Sequence, residues 1–432
     1  MTMQEDKPLR VVMMADSLFT GAGRATERLA TALVKSVSES ELAISVVSRD
    51  KAASLPAPIE FTSWQPSPHR RALIKGFQEV ANRHGSVNPN VHHSYPVFPT
   101  GGLGTLKSLR PDVVNLHWLG SRLLSIPEIG RIPFPVVWTL HDEWFYRGSE
   151  HYGSDERPYT GYPQTKPERL GLFDVDRFIW QLKKNNWHTP MTFVTPSKWL
   201  ARNLKRSELG ANHQVHVVPN ALDLNFWKPA PRVDSARLLG VDPTKQFITM
   251  GAFDFDRSWL KGSDLALRAI DELGRIMPAN RKDKVEFLLF GGQVLSPKVM
   301  NGFRVNFLGP LDDEQLRAAY SISDAQVLSS RLENFPQVAT ESIACGTPVV
   351  AFDVGGLREI VSTVEAGSII HAFRVDEMAG AIKELLEAQS LVRPNKGAEI
   401  RRISDNWSQK IIAAQYLEVF RSRRGTTPPH EI

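Results

Sequence analysis

Two glutamates with seven residues between them, Glu333 and Glu341, carry the first chemical signal in this sequence. They lie in RLENFPQVATESIACGTPVVAFDVGGLRE, residues 331–359. Glu333 falls in a turn that ends at Pro336, and Glu341 falls about two helical turns on. Gly346 suits the position just past a helix end, and Pro348 blocks continuation. A short strand, Pro348 to Phe352, follows, then a second turn at Gly355-Gly356. A helix start presents backbone N–H groups and partial positive charge, which suit a phosphate. Carboxylates beside it suit the hydroxyls of an attached sugar or ribose. On spacing alone, a solvated helix start with an ordinary capping acid is an equal alternative. Upstream, Arg257 and Lys261 precede another helix. Two cations beside helix starts make a diphosphate site that needs no metal. Asp254-x-Asp256 has the spacing of a metal pair, but its cationic neighbours make it a loop feature instead.

The first half offers a second set of polar residues. Gly21-Ala22-Gly23 follows an apolar strand, Leu9 to Ala15, and a helix is expected from about Arg24. The glycines read as a turn that lets a ligand approach the backbone, or as a simple tight turn. Thr26 stands where a dinucleotide fingerprint needs glycine, so that match is weak. His117 and His141 end two further strands, Pro111 to His117 and Pro135 to His141. Open α/β sheets place ligand groups at such carboxyl ends. Asp142 follows, and with it an aromatic, charged stretch to about Lys166. This stretch holds Trp144, Phe145, Tyr146, His151, Tyr152, Tyr159 and Tyr162. It is too long for a structureless loop and is expected to fold over a site.

These groups need a frame, and the rest of the chain supplies one. Strands Leu42 to Ser48, Met191 to Val194 and Val215 to Val218 alternate with helices Arg70 to Asn82, Val175 to Trp187 and one carrying Lys198, Arg202, Lys205 and Arg206. Pro229 and Pro231 mark a linker-like segment. A second series then runs through Phe247 to Ala252, a helix from Gly262 to Ile276, Val285 to Phe290, and Val305 to Gly309. It continues with a helix capped by Asp312 and Gln315, Ala325 to Ser329, and helices Val375 to Gln389 and Ser408 to Arg421. The expectation is α/β: two doubly wound, Rossmann-like domains facing a cleft. The first spans 1–218. The second spans 219–405.

Bulk properties narrow the class. The chain has 432 residues and 42% hydrophobic content, enough for two sizeable cores. Cys345 is the single cysteine, so neither an internal disulfide nor a cysteine metal cluster can form. No apolar run reaches the ~18 residues of a membrane helix, and the polar start is unlike a signal peptide. A cytoplasmic protein is expected. The net charge of +5 sits in residues 1–218, where 26 Lys/Arg face 20 Asp/Glu; the remainder holds 26 and 27. A basic half suits an anionic membrane surface or a phosphate-bearing substrate. No stripe of interleaved arginines and aromatics matches a nucleic-acid module.

Taken together, the Gly21–Gly23 turn, His141-Asp142, PNALDLNFWKP at 219–229, Lys261-Gly262 and the E-x7-E stretch resemble a family 4 glycosyltransferase of the GT-B architecture. TLHDEWFYRGSEHY, the later Pro163-Gln164 and VTPSKWL are similar to bacterial exopolysaccharide transferases of the colanic acid type. The resemblance implies a retaining, metal-independent transferase without cofactors. It would use a nucleotide-diphosphate sugar and a sugar or lipid-linked acceptor, and would work in the cytoplasm or at the inner face of the membrane. It assigns Arg257 and Lys261 to the leaving diphosphate and Glu341 to the ribose. Glu333, with the N–H groups of Asn334, Phe335 and Gln337, would hold the donor sugar. Gly21 and Gly23 would meet the donor, and the last helix, at about 406–424, would cross back to join the first domain. His141 would lie near the donor sugar and the acceptor, with Asp142 and His117 on the acceptor side. Relatives of this type carry cysteines after the His-Asp pair; Glu150 and Tyr162 stand in two such places, so a structural metal there is not expected. Asn220-Ala221 replaces Asn-Gly. The alternatives are a nucleotide-sugar epimerase on the same fold, and a non-enzymatic basic protein that binds membranes or nucleic acid.

Overall fold

A computed structural model describes residues 7–51, 55–85, 87–166, 171–252, 255, 258–389 and 403–425. The chain divides into two compact units, Met1–Ala221 with Gln409–Ile432, and Leu222–Ser408. The first unit holds a seven-stranded parallel sheet of β1 (Leu9–Met14), β2 (Leu42–Ser48), β3 (Glu60–Ser63), β4 (Val113–Leu116), β5 (Val136–Thr139), β6 (Thr192–Thr195) and β7 (Gln214–Val217). Their order is β3-β2-β1-β4-β5-β6-β7. The direction of winding therefore reverses between β1 and β4. The loops after these two strands diverge there and leave a natural ligand crevice.

Both faces of this sheet are covered, which is why its strands read as continuous apolar runs. In β1, Leu9, Val11 and Met13 enter one core and Val12 and Met14 the other. The first core is closed by the helices Gly21–Ser36 and Gln409–Arg423. The latter buries Ile412, Ala413, Tyr416, Leu417 and Phe420 with Leu29, Ala30 and Leu33. The C-terminal helix thus completes the first unit.

The second unit repeats the plan with β8 (Gln246–Gly251), β9 (Val285–Phe290), β10 (Val294–Met300), β11 (Phe303–Gly309), β12 (Ala325–Leu328), β13 (Val349–Phe352) and β14 (Gly367–Ile370). The order is β10-β11-β9-β8-β12-β13-β14, with β10 antiparallel to β11. Winding reverses here between β8 and β12.

Several expectations change. The Gly21–Gly23 segment is not a turn: the helix already starts at Gly21, because Thr20 caps it and its Oγ1 accepts from the Gly23 N–H at 3.2 Å. The segment after Pro231 is no linker but a helix, Arg232–Leu239, with Pro231 at its N-cap. The edge strands β3, β10 and β14 have half-exposed or exposed patterns and lack a buried apolar run. Among the described residues no helix is long and apolar enough to cross a membrane.

The aromatic stretch after His141 is folded tightly, with only short helical turns at Arg157–Thr160 and Tyr162–Gln164. Its anchor is Lys183, on helix Val175–Asn186 and fully buried. The ammonium group donates to the carbonyls of Trp144, Arg147 (3.0 Å) and Gly148 (2.8 Å), and lies 3.7 Å from the Trp144 ring centroid. Burial pushes its pKa well below the ordinary lysine value, with Asp142 and Asp176 acting the other way. Arg147, also buried, donates to Glu143 at 2.7 Å and Asp155 at 3.3 Å. Tyr162 accepts the Gly148 N–H at 2.8 Å beneath the Arg157 guanidinium, and Glu150 lies 3.9 Å from Arg147. Lys183→Met leaves three buried carbonyls without this donor, each worth roughly 1–3 kcal/mol. A loss of about 3 kcal/mol or more is expected in urea unfolding followed by tryptophan fluorescence; an unchanged midpoint would contradict the anchoring role.

Candidate active site

In the second unit the loops after β8 and β12 emerge side by side, because these strands flank the reversal point. They are tied together before any ligand is considered. Gly262 has φ +64°, and a Cβ there would come within 2.1 Å of the Ser329 carbonyl. Ser329 Oγ donates to the Lys261 carbonyl at 3.1 Å, and the Arg331 N–H to the Leu260 carbonyl at 2.7 Å. The Arg331 side chain donates to the Trp259 carbonyl at 2.9 Å and grips Asp264 through two bonds, 2.8 and 2.6 Å. Its guanidinium also covers the Trp259 ring at 4.6 Å.

This staple fixes Lys261 against Glu333. Lys261 Nζ donates to Glu333 Oε1 at 2.7 Å, and Ser330 Oγ donates to the same oxygen at 2.8 Å. Lys261 stays partly open, with 28% of its side chain exposed against 10% for Glu333. The Gly355-Gly356 turn holds the Glu333 backbone: the Gly356 N–H donates to its carbonyl at 2.9 Å. Gly355 has φ +59°, and a Cβ there would lie 1.7 Å from the same carbonyl oxygen. Only glycine fits both demands.

Helix Gln337–Ala344 begins four residues after Glu333, with Pro336 at its N-cap. Pro336 gives the first turn no side-chain cap, and the positive end of the helix suits an anion. The helix ends in a Schellman arrangement, Gly346 N–H to Ile343 and Thr347 N–H to Ser342. Glu341, buried in this helix, accepts from the Tyr320 hydroxyl at 3.3 Å. Asn334 and Phe335 are buried, and Gln337 is half-buried. Phe335 packs edge-on against Trp407. Arg257 lies outside the described residues, as do Asp254 and Asp256.

In the first unit, His117 and His141 meet at the ends of neighbouring strands. His117 Nδ1 and His141 Nε2 are 2.9 Å apart, with the rings stacked at 5.2 Å. Burial pulls His141 down to about 4, with Asp142 acting the other way. Burial, then His141, holds His117 well below the ordinary histidine value. Asp142 turns away from this pair to His151 Nδ1, 2.5 Å distant. Burial pushes the Asp142 carboxyl up, but His151 and the Trp144 N–H outweigh it and leave it below the usual range. His151 Nε2 in turn meets Ser94 Oγ at 2.8 Å. The order Asp, His, Ser is that of a nucleophile relay. Ser94 is 1% exposed, however, so the relay serves to hold the 142–151 segment onto residues 92–94.

Gly21 faces open space, whereas a Cβ at Gly23 would strike the Ser17 carbonyl at 1.9 Å. Gly23 thereby permits a close approach of its own loop. The stapling residues Ser329, Ser330 and Arg331 escaped sequence reasoning. So did Asn115, which accepts from His117 Nε2 at 2.8 Å. A polar residue inside the apolar run PDVVNLH was the available signal.

Each unit matches a different family model: Glycosyltransferase Family 4 over residues 19–226, and Glycosyl transferases group 1 over residues 242–401. The fold is the two-domain, Rossmann-like GT-B architecture, and both matching models are of glycosyltransferases. Over residues 19–226 the chain is similar to glycosyltransferase family 4. It is 33% identical over 221 residues to a D-inositol 3-phosphate glycosyltransferase from Rhodococcus erythropolis, covering 48% of each chain. It thus spans about half the length of such curated relatives. A glycogen synthase from Mycobacterium tuberculosis is 26% identical over 341 residues, 76% of this chain and 73% of that one. HepE from Anabaena, solved in complex with UDP-glucose, is similar in fold, with a TM-score of 0.58 and 17% identity over 96% of this chain and 99% of that one.

Two measurements test this geometry. Gly355→Ala should destabilise the second unit by at least ~1–3 kcal/mol, the typical cost of a residue held in a strained backbone region. Chemical denaturation reads it, and a wild-type midpoint would show that the Glu333 clamp is not needed. The second concerns pH. The unfolded chain protonates His117 and His141 below about 6.5, whereas folded His141 resists until about 4. The stability they contribute is fully present above pH about 6.5 and is lost as pH falls towards 4. The urea midpoint of the first unit should drop across that window, and more gently in His141→Gln.

Proposed function

We propose that the protein is a retaining glycosyltransferase that moves a sugar from a nucleotide-diphosphate sugar to a hydroxyl of a glycan or lipid-linked acceptor, without a metal. The observation that carries this reading is the Lys261–Glu333 contact at 2.7 Å, set against the start of helix Gln337–Ala344. Without ligand, the cation is compensated by the carboxylate. A diphosphate would draw Lys261 to itself and release Glu333 to accept sugar hydroxyls. Lys261, with Arg257, stabilises the leaving diphosphate. Glu341 takes the ribose hydroxyls. Glu333 and the N–H groups of Asn334, Phe335 and Gln337 hold the donor sugar.

Leaving-group stabilisation is the dominant requirement of this chemistry. The departing phosphate oxygen takes the acceptor's proton as the new glycosidic bond forms on the same face. A strong protein base is then unnecessary, which agrees with a His141 held neutral well below pH 7. His141 serves the donor sugar and the acceptor, with His117 and Asp142 behind it and Gly21 at the open helix start.

The named relatives support the sugar-transfer class. The Anabaena structure, solved with UDP-glucose, supports a uridine nucleotide donor. For the acceptor we favour a sugar in exopolysaccharide assembly, reached at the membrane surface. The exposed helix Pro68–His84, with Arg71, Lys75 and Arg83 facing solvent, supports peripheral contact with anionic lipid. A second reading, a small phosphorylated polyol acceptor, is favoured by the match to an inositol 3-phosphate transferase.

A thermal-shift screen against UDP, GDP, ADP and dTDP sugars tests the proposal. One donor family should stabilise the wild type, and Lys261→Ala should abolish that shift and slow transfer by about 10²–10³. No shift with any nucleotide sugar would overturn it. Release of an epimerised free sugar without acceptor would replace transfer by epimerisation.

A further inference from the structure

Asn115 lies in β4 with no exposed surface. One side-chain atom sits 3.0 Å from the Val137 carbonyl. A carbonyl can only accept, so that atom is the amide nitrogen Nδ2. The same nitrogen donates to Thr139 Oγ1 at 3.1 Å, and Thr139 Oγ1 is held by the Tyr416 hydroxyl at 3.1 Å from the C-terminal helix. The amide oxygen is thereby turned to His117 Nε2, 2.8 Å away. An amide oxygen has no proton to give, so His117 Nε2 carries one. The neutral ring then bears a lone pair on Nδ1. His141 Nε2, 2.9 Å from that lone pair, must supply the proton. His141 is fixed as the Nε2–H form, and Nδ1 is its unprotonated nitrogen.

We propose that Asn115 and His117 are positioning residues that lock this tautomer, so that His141 Nδ1 accepts a hydrogen bond from a hydroxyl of the sugar substrate. The assignment rests on the transferase reading above and deepens it. A lone pair on Nδ1 would repel a phosphate oxygen, which only accepts. The ligand group at His141 is therefore a sugar hydroxyl and not the diphosphate. Ring stacking alone would not choose between the two nitrogens. The choice is made one strand away, by an amide that the Val137 carbonyl prevents from flipping.

Nitrogen-15 NMR of the full chain, labelled at histidine, reads each ring nitrogen directly at pH 7.5. Nε2 should be protonated and Nδ1 bare in both His117 and His141. A protonated His141 Nδ1 would overturn the proposal, whether or not the chain transfers sugar. Asn115→Asp supplies a carboxylate that favours a doubly protonated His117. Its Nδ1–H would then donate to His141 Nε2 and move the His141 proton to Nδ1. Transfer should fall about tenfold, the worth of one hydrogen bond, while the thermal shift with the donor that stabilises the wild type is retained. Transfer at the wild-type rate with the tautomer switched would overturn the positioning role. If Asn115→Asp does not fold, His117→Ala gives the second reading: His141 should then show a mixture of both tautomers, and an unmixed Nε2–H signal would overturn the proposal. The wild-type tautomers in a chain with no affinity for any nucleotide sugar would sink the transferase reading, and the substrate role of Nδ1 with it, while leaving the tautomer assignment intact.

Discussion

The second unit depends on one staple, the grip of Arg331 on the loop that carries Lys261. Strand order brings the ends of β8 and β12 together, but strand order cannot set a side chain to within an ångström. That is done by Asp264, the Trp259 carbonyl and ring, and the backbone bond to Leu260. Rigid support of this kind is what lets a site act without reorganising at the moment of reaction. Gly355 and Gly356 complete it from the other side by holding the Glu333 backbone, so that within this site the adjustable parts are the tips of Lys261 and Glu333.

The first unit solves a different problem. Its polar groups are deeply buried and must satisfy one another. Lys183 spends its donors on carbonyls, and Arg147 spends its own on Glu143, Asp155 and Gly153. Tyr162 and Glu150 join this network through the Gly148 N–H and the Arg147 guanidinium. Buried polar networks of this sort are costly when incomplete and specifying when complete. They hold the aromatic segment beside the histidine pair.

Much of this was legible in the sequence, for physical reasons. Parallel strands buried on two faces must be apolar throughout, so LRVVMM and VEFLLF declared themselves. Edge strands meet no such demand, and EFTS, exposed or half-buried throughout, has no apolar run to mark it. Lys261 and Glu333, 72 residues apart, were assigned to one site through motif resemblance, and the fold brings them into contact. Arg331 and Asp264 left no such trace, because an exposed ion pair between distant residues has no local pattern. The glycines at 21 and 23 show how one residue type can answer to two demands. Gly23 is required by the carbonyl of Ser17, an interaction that spacing cannot distinguish from a ligand's approach.

The helix Gln409–Arg423 also imposes an order of events. It closes the core over Leu29, Ala30 and Leu33, yet a ribosome reaches it only after making the whole second unit. During synthesis the first sheet and the helix Gly21–Ser36 must wait with the apolar surface that Gln409–Arg423 covers left exposed, while 187 residues, Leu222–Ser408, pass. Domains commonly fold from the N-terminus as they emerge, and exposed apolar surface is what chaperones recognise. This chain therefore reverses the usual sequence: its second unit can be finished first, and the unit that begins the chain is the last to be sealed.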